Sequence, residues 1–192
     1  MKSTKKIFAC IMCAFIVLGI TSCDKDDNDN NNVNVPADIQ KSLPGTYADK
    51  MLINNVKADS MHVNIASGKI TFNLPLDTLV KLSVTDKKSQ AEAISSIKSN
   101  TCTTSYTFQT FRTDSVLTMA LMPGYYNFTY KISGKDITET ATIESATAYF
   151  NAKKKTISMN LNISALRNGG NVVSNFKKMN IQLNNAEKKI SK

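Results

Sequence analysis

The chain has 192 residues, enough for one domain with a real core, and its 24 Lys and Arg against 15 Asp and Glu give a net charge of +9. It holds a single histidine and no tryptophan, and its lysines are scattered without a basic helix or an RNA-binding motif. This composition argues against a nucleic-acid-binding protein, a conventional zinc site and a histidine-based enzyme, so we predict no metal, no cofactor and no catalytic residue.

Residues 1–22 have the pattern of a secretory signal peptide. A positive region opens the chain and is formed by Lys2, Lys5 and Lys6. The apolar stretch 7–20 that follows is too short to span a bilayer comfortably as a helix. The order from Leu18 to Cys23 resembles the bacterial lipobox, in which a small residue precedes a cysteine that is lipidated and becomes the new N-terminus. The resemblance implies a lipid on Cys23, and an ordinary cleavable signal is the alternative.

Residues 23–38 are predicted to be the lipidated cysteine and a flexible acidic tether. The stretch 24–32 has no apolar residue and four aspartates, so it cannot bury enough surface to offset the entropy of ordering. An acidic run after the lipid cysteine resembles the surface-export signal of Bacteroidota lipoproteins. The resemblance implies an outer-membrane protein that faces the cell surface, with a periplasm-facing protein as the alternative. Without the tether, residues 33–192 carry a net charge of about +9, which favours an anionic ligand or serves solubility.

Residues 39–192 are predicted to form a single all-β domain with a Lys-rich C-terminal tail. Apolar and polar residues alternate most clearly in the segments 61–65, 70–74, 126–132, 157–163 and 179–183. Further strands are predicted at 46–54, 79–85, 103–112, 115–122 and 138–150. Such alternation is typical of antiparallel sheets with one packed face. One short helix is predicted near 89–98, with Ser89 as its candidate cap.

About eight or nine strands must close into a barrel or stack as a sandwich to protect their edges. The segment Gly45-Thr46-Tyr47 resembles the start of the first strand in lipocalin-like (calycin) barrels. A lipobox, an acidic tether, this segment and a β-rich body together resemble small surface lipoproteins of Bacteroidota. The resemblance implies an antiparallel meander that closes into a lipocalin-like barrel, and a β-sandwich is the alternative.

Reactive side chains are few in the predicted mature chain. Cys102 is the only cysteine besides Cys23, so no intrachain disulfide is expected. His62 and Cys102 could formally pair, but we expect a surface histidine and a cysteine that packs between strands. Glu139 and Glu144 lie on opposite faces of a regular strand, and we interpret both as solubilising residues.

An aromatic cluster supplies the candidate ligand contact. Tyr126, Phe128 and Tyr130 have the spacing of a core-facing strand, so packing is their expected role. Tyr125 is out of phase with them and follows Pro123-Gly124, which predicts an exposed ring that can contact a ligand.

Three Asp-Ser/Thr-aliphatic triplets match the O-glycosylation pattern of exported Bacteroidota proteins. Their acceptor hydroxyls belong to Ser60, Thr78 and Ser115. Ser60 and Ser115 are predicted ahead of Thr78, because modifying enzymes reach loops and strand starts most readily.

These observations favour a binding module that is anchored to the outer membrane by a lipid. Its β-barrel would present a surface to a small molecule, a glycan, or a host or partner protein. The alternatives are a structural or accessory subunit of an outer-membrane assembly and, after that, a hydrolase that uses carboxylates alone.

Overall fold

The computed structural model describes residues 33–189, so the signal peptide, Cys23 and the stretch 24–32 lie outside the described residues. The described helices are α1 Ala37–Ser42, α2 Leu76–Ser83 and α3 Lys87–Ser96. The described strands are β1 Gly45–Ile53, β2 Val56–Ala66, β3 Lys69–Asn73, β4 Thr101–Phe111, β5 Val116–Leu121, β6 Gly124–Ile132, β7 Lys135–Asn151, β8 Thr156–Asn168, β9 Asn171–Val172 and β10 Met179–Lys188. None of the described helices has the length and apolar character needed to cross a bilayer.

The strands close into an eight-stranded antiparallel barrel. Pairing runs through β1, β2, β3, β4, β5, β7, β8 and β10, and β10 pairs with β1 to complete the ring. This closure confirms the predicted barrel and excludes the sandwich.

The two strands β5 and β6 act as one long strand with an interruption. Both lie antiparallel on the same edge of β7, with Leu121 opposite Ala146 and Gly124 opposite Ile143. Pro123 lies between them, and proline has no N–H to donate to a sheet ladder. With β5 and β6 counted as one strand, the barrel is an up-and-down meander of the lipocalin-like type.

Tight turns fix the register of the hairpins. Asn54-Asn55, Ser67-Gly68 and Ser133-Gly134 all have positive φ at both positions. Two successive residues with positive φ form the type I′ turn, whose twist matches that of the flanking strands. Asparagine and glycine tolerate this conformation well.

The inward-facing side chains form one continuous core. Tyr47, Met61, Phe72 and Phe150 are among its buried members, and the ring of Tyr47 packs edge-on against Phe150 at a centroid distance of 6.3 Å. The Tyr47 phenol donates a 2.6 Å hydrogen bond to the Leu43 carbonyl, and burial raises its pKa to about 12. An eight-stranded barrel is just wide enough for side chains to fill. The cavities described below are each bordered by exposed residues, so we look for a ligand site at the surface.

The predicted strand at 79–85 is wrong, because most of this segment belongs to α2. Leu76, Leu79 and Val80 are buried and follow helical spacing, while Lys81 lies 3.3 Å from Asp77 as an i,i+4 ion pair. Pro75 directly precedes the helix, where its missing N–H has no cost. The buried face of α2 packs into the core at the barrel end where β3 passes to β4, which we call the helical end.

The predicted helix near 89–98 is α3, which begins two residues earlier. Its N-cap is Asp86, not Ser89: the Asp86 carboxylate accepts a 2.8 Å hydrogen bond from the Ser89 N–H. This bond lowers the pKa of Asp86. The helix covers the outer edge of β6, where Ser96 Oγ accepts a 2.7 Å bond from the Lys131 N–H. A covered edge cannot pair with another chain.

The packed body begins before residue 39. Val35 is buried in the core, and the Gln40 amide donates a 2.8 Å hydrogen bond to its carbonyl. Residues 33–38, assigned above to the tether, are therefore part of the folded domain. The described residues 33–189 all belong to one compact unit, which contains every core residue described.

Candidate functional site

A groove runs along the outer face of β2, from the helical end towards Thr46. It consists of two adjoining cavities of about 430 and 510 Å³. The cavities share Asp59, Asn73 and Asn100. We call this feature the β2 groove.

The end of β3 creates the groove. β2 pairs with β3 only from Val63 to Ala66, whereas β2 itself begins at Val56. Asn73, the last residue of β3, takes over as the partner of β2 through its side chain. Its carboxamide accepts a bond from the His62 N–H and donates a 3.1 Å bond to the Ser60 carbonyl. The earlier residues of β2 therefore border open space instead of a neighbouring strand.

The inner section of the groove, at the helical end, has an apolar floor. Leu74 and Leu76 are buried there. Ile94 of α3 and Ile97, the C-cap of that helix, are half-buried. Charged and polar groups stand on its rim, namely Asp59, Asp77, Lys98, Ser99 and Asn100. An apolar floor with a few polar groups is the usual make-up of a ligand site.

The outer section is lined by hydroxyl, amide and imidazole groups. The lining side chains that point outwards from their strands are Thr46, Ser60, His62, Asn64, Thr71 and Thr101. Thr46 Oγ1 and Asn64 Oδ1 are 3.3 Å apart, and the hydroxyls of Thr71 and Thr103 are 2.8 Å apart. Such groups both donate and accept hydrogen bonds, as a polyhydroxylated ligand requires.

Two carboxylates, Asp59 and Asp77, line the inner section and bear on the hydrolase alternative. Asp59 is exposed, and Asp77 lies 3.3 Å from the Lys81 ammonium with more than a third of its side chain exposed. A carboxyl that acts as general acid is normally held in an apolar, water-excluded environment. Neither aspartate lies in such an environment, so the groove is better suited to binding than to hydrolysis.

Tyr125, the predicted ligand contact, lies at the interruption between β5 and β6. Its side chain is 77 % exposed, as expected, and Met122 beside it is 63 % exposed. Together they border a cavity of about 90 Å³ whose lining includes Cys102 and Ile143. Ligand pockets typically hold 300–1,000 Å³. The structure thus places Tyr125 beside a small notch outside the β2 groove, and its contact with a ligand stays a prediction.

The other aromatic residues of β6 pack as expected. Phe128 and Tyr130 are buried and Tyr126 is half-buried, with ring centroids about 6 Å apart along the strand. They belong to the core and its border.

His62 and Cys102 do not form a pair. Cys102 lies opposite Phe72, which lies opposite Val63, so its side chain shares the inward face of those two residues. His62 is the neighbour of Val63 and points outwards. The Cys102 thiol is free and buried, and burial raises its pKa to about 11. A protonated buried thiol is a poor nucleophile.

The interpretation of Glu139 as a solubilising residue is wrong, whereas Glu144 is exposed as predicted. Glu139 is 0 % exposed, and its Oε1 accepts a 2.8 Å hydrogen bond from Tyr130 and a 3.4 Å bond from Asn168. No cavity described above reaches this carboxyl, so we assign it to the interior of the barrel wall and not to a ligand site.

The three candidate O-glycosylation residues differ in accessibility. Ser60 is exposed and lines the β2 groove, while Ser115 lies half-buried in the turn between β4 and β5 with a φ of 68°. Thr78 is half-buried in the first turn of α2. Sequence reasoning did not find the β2 groove, although alternating polar residues from 60 to 64 and from 71 to 73 marked its outer wall.

Comparison with protein-family models, with curated proteins and with solved structures finds no match to this chain. Residues 33–189 contain no group of three or more His, Cys, Asp or Glu side chains that could hold a metal ion.

Proposed function

We propose that this chain is a binding module that a lipid on Cys23 anchors to the outer membrane, and that it holds a glycan in the β2 groove. The barrel supplies a rigid body with a packed core, and its described cavities are bordered by exposed residues. The lipobox-like segment and the acidic run after it support the anchor and a cell-surface orientation.

The side chains that line the β2 groove indicate which class of ligand it binds. Its outer section offers hydroxyls, amides and one imidazole, and its inner section offers an apolar floor against which a sugar ring can pack. Its charged lining consists of two aspartates and one lysine, which does not favour an anion. A neutral polyhydroxylated ligand meets both sections, so a glycan fits better than an acidic or wholly apolar molecule.

A glycan array with the soluble unit Asn31–Lys192 tests the ligand. The variant H62A/N100A removes two groove side chains for which the structure shows no side-chain hydrogen bond, so the fold should persist. The matched control Q109A/N184A removes two exposed side chains elsewhere. We expect the groove variant to bind about five- to 150-fold more weakly, since each of the two lost hydrogen bonds contributes about 0.5–1.5 kcal/mol. The control should bind like the wild type. Absence of any bound glycan, or equal binding by both variants, would contradict the proposal.

The anchor is tested in the full chain. The wild type should incorporate labelled palmitate and fractionate with membranes, whereas Cys23→Ser should lose both properties. A Cys23→Ser protein that stays in the membrane fraction would refute lipid anchoring at this cysteine.

A further inference from the structure

Four lysines converge on a groove at the barrel end opposite α2 and α3. Lys154 and Lys155 come from the turn between β7 and β8, and Lys188 and Lys189 from the end of β10. The groove holds about 620 Å³ and includes one acidic side chain, Glu187. We call this feature the lysine groove.

Backbone hydrogen bonds hold the two lysine-bearing segments together. The Lys188 N–H donates to the Lys155 carbonyl at 3.2 Å, and the Lys189 N–H donates to the Thr46 carbonyl at 2.7 Å. The cluster is therefore a consequence of strand pairing and does not depend on flexible side chains meeting by chance.

Lys188 lies across the floor of the groove. Its ammonium donates a 2.7 Å hydrogen bond to the Ser42 carbonyl, which fixes the side chain. A Cβ on Gly45 would lie 2.4 Å from Lys188 Cε, so glycine at this position leaves the space that the lysine occupies. The other three lysine side chains are exposed or at the rim, with their charges facing solvent.

This arrangement has the chemistry of a phosphate site. Four ammonium groups with one carboxylate leave an excess of positive charge in one concave place, and an anion relieves their repulsion. Lysine binds phosphate as a compact point charge with three donors. The volume is large enough for a headgroup with its phosphate, whereas the β2 groove has no such excess of positive charge.

The path of the chain indicates where the lysine groove faces. The described chain starts at Val33, passes through α1 and enters the barrel at Gly45, which borders the groove. Nine residues lie between Cys23 and Val33, and the ten steps from one Cα to the next can span at most about 35 Å. A lipid on Cys23 would therefore tether the barrel through a segment that enters it beside the lysine groove.

We propose that the lysine groove binds the phosphate groups of anionic lipid headgroups in the membrane that holds the Cys23 lipid. The inference rests on the anchor of the proposed function. It adds an orientation: the lysine end lies on the membrane, and the inner section of the β2 groove at the helical end lies away from it. An anionic membrane surface attracts clustered lysines, so this contact would fix which end of the barrel meets the bilayer.

Vesicle binding by the unlipidated unit Asn31–Lys192 tests the site directly. Phosphatidylcholine vesicles with and without one-third phosphatidylglycerol are compared in a sedimentation assay. The groove variant K154Q/K155Q/K189Q keeps Lys188 for the fold, and the control K88Q/K135Q/K177Q removes the same charge from exposed positions elsewhere. A basic side chain near an anionic membrane contributes roughly a factor of five in affinity, so the groove variant should bind about a hundredfold more weakly and the control nearly like the wild type.

Three results would overturn the proposal. They are absence of binding to the anionic vesicles, equal weakening in both variants, and tight binding of inorganic pyrophosphate without vesicle binding, which would indicate a soluble phosphate ligand. The assay uses neither the Cys23 lipid nor a glycan. Failure here with palmitate still incorporated at Cys23 removes this inference alone, whereas failure of palmitate incorporation removes the anchor and leaves the vesicle result standing.

Discussion

Tyr130 of β6 donates a 2.8 Å hydrogen bond to Glu139 of β7, and both side chains are buried. The second oxygen of the carboxyl, Oε2, has no hydrogen-bond partner among the described residues. Burial raises the pKa of Glu139, and the nearby hydroxyls of Ser83 and Tyr130 offset only part of this effect. Burial also raises the pKa of Tyr130, and the neighbouring carboxylate adds to the rise. The barrel wall thus contains an acid that keeps its proton to a higher pH than an exposed glutamate does.

The raised pKa of Glu139 predicts that stability falls as pH rises. The folded protein holds this proton more tightly than the unfolded chain, whose glutamate has a pKa of about 4.3. The stabilisation that comes from the tightly held Glu139 proton is therefore complete below about pH 4.3. It is lost as pH rises through the pKa that Glu139 has in the folded protein. Urea unfolding at a series of pH values should show a free energy of unfolding that declines over this window.

Glu139→Gln separates this effect from all other titrations. The amide oxygen can still accept the Tyr130 hydrogen bond, but the side chain no longer titrates. The difference in unfolding free energy between variant and wild type should therefore shift in favour of the variant from pH 4 to pH 8. Glu144→Gln, at an exposed position of the same strand, serves as the control and should show no such trend. A pH-independent difference for Glu139→Gln would contradict the buried, proton-binding carboxyl.

Tyr130→Phe removes the hydrogen-bond donor from the same pair. The Oε1 atom of Glu139 would keep only the 3.4 Å contact with Asn168, so we expect a loss of about 1–3 kcal/mol in unfolding free energy at pH 7. Tyr126→Phe is the matched control, because its half-buried phenol donates a longer, 3.3 Å bond to the Ser99 carbonyl. Its loss should stay within about 0.5–1 kcal/mol, and equal losses in both variants would refute a special role for the Tyr130 bond.

Strands and turns were predictable, because one face of each strand is buried and the side-chain period is two. The same rule also places Glu139 in phase with Ala141 and Ile143, which are buried. Carboxylates are rarely buried, so the charge of Glu139 was given more weight than its place in the alternation, and its interpretation as a solubilising residue was wrong. Glu144 is out of phase with Ala141 and Ile143, so regular alternation accounts for its exposure. The pairing irregularity between Ile143 and Ser145 then shifts the buried face to Ala146 and Ala148.

The β2 groove could not be predicted, because it depends on where two strands end relative to each other. Asn73 contacts Ser60 and His62 only because β3 stops there. The segment 79–85 was ambiguous for another reason: a short apolar run fits a strand or a buried helix equally well. Leu79 and Val80 both pack in the barrel core, and this packing stabilises the helix.

Leu79→Ala tests the buried face of α2. Leu79 is 0 % exposed, and truncating a buried leucine typically reduces the unfolding free energy by 2–5 kcal/mol. Leu82→Ala changes the same residue type in the same helix at a position that is 41 % exposed, so its effect should stay below about 1 kcal/mol. Urea unfolding of both variants measures the difference. Equal losses in the two variants would contradict the buried face of α2. The burial of both Leu79 and its neighbour Val80 is what distinguishes the helix from a strand with one packed face, which would bury only one of them.

O-glycosylation of the three Asp-Ser/Thr-aliphatic triplets is testable by intact mass. Protein from the native host should be heavier than the bare lipidated chain, and peptide mapping should locate the added mass at Ser60 and Ser115 before Thr78. Exposure supports Ser60 most directly, whereas Thr78 is half-buried in α2. The variant Ser60→Ala should lose one glycan. An intact mass equal to that of the bare lipidated chain would refute the prediction.

Cys102 should resist alkylation in the folded protein. Burial raises its pKa to about 11, so about one thiol in a thousand is ionised at pH 8, and the side chain is only 8 % exposed. In urea the pKa returns towards 8.5 and the thiolate becomes common. We expect iodoacetamide to add one carbamidomethyl group to the unit Asn31–Lys192 in urea and almost none under native conditions at equal times. The variant Cys102→Ser should gain no mass in either condition. Rapid native labelling of the wild type would contradict the prediction and would mean that the notch beside Tyr125 opens far enough to admit the reagent.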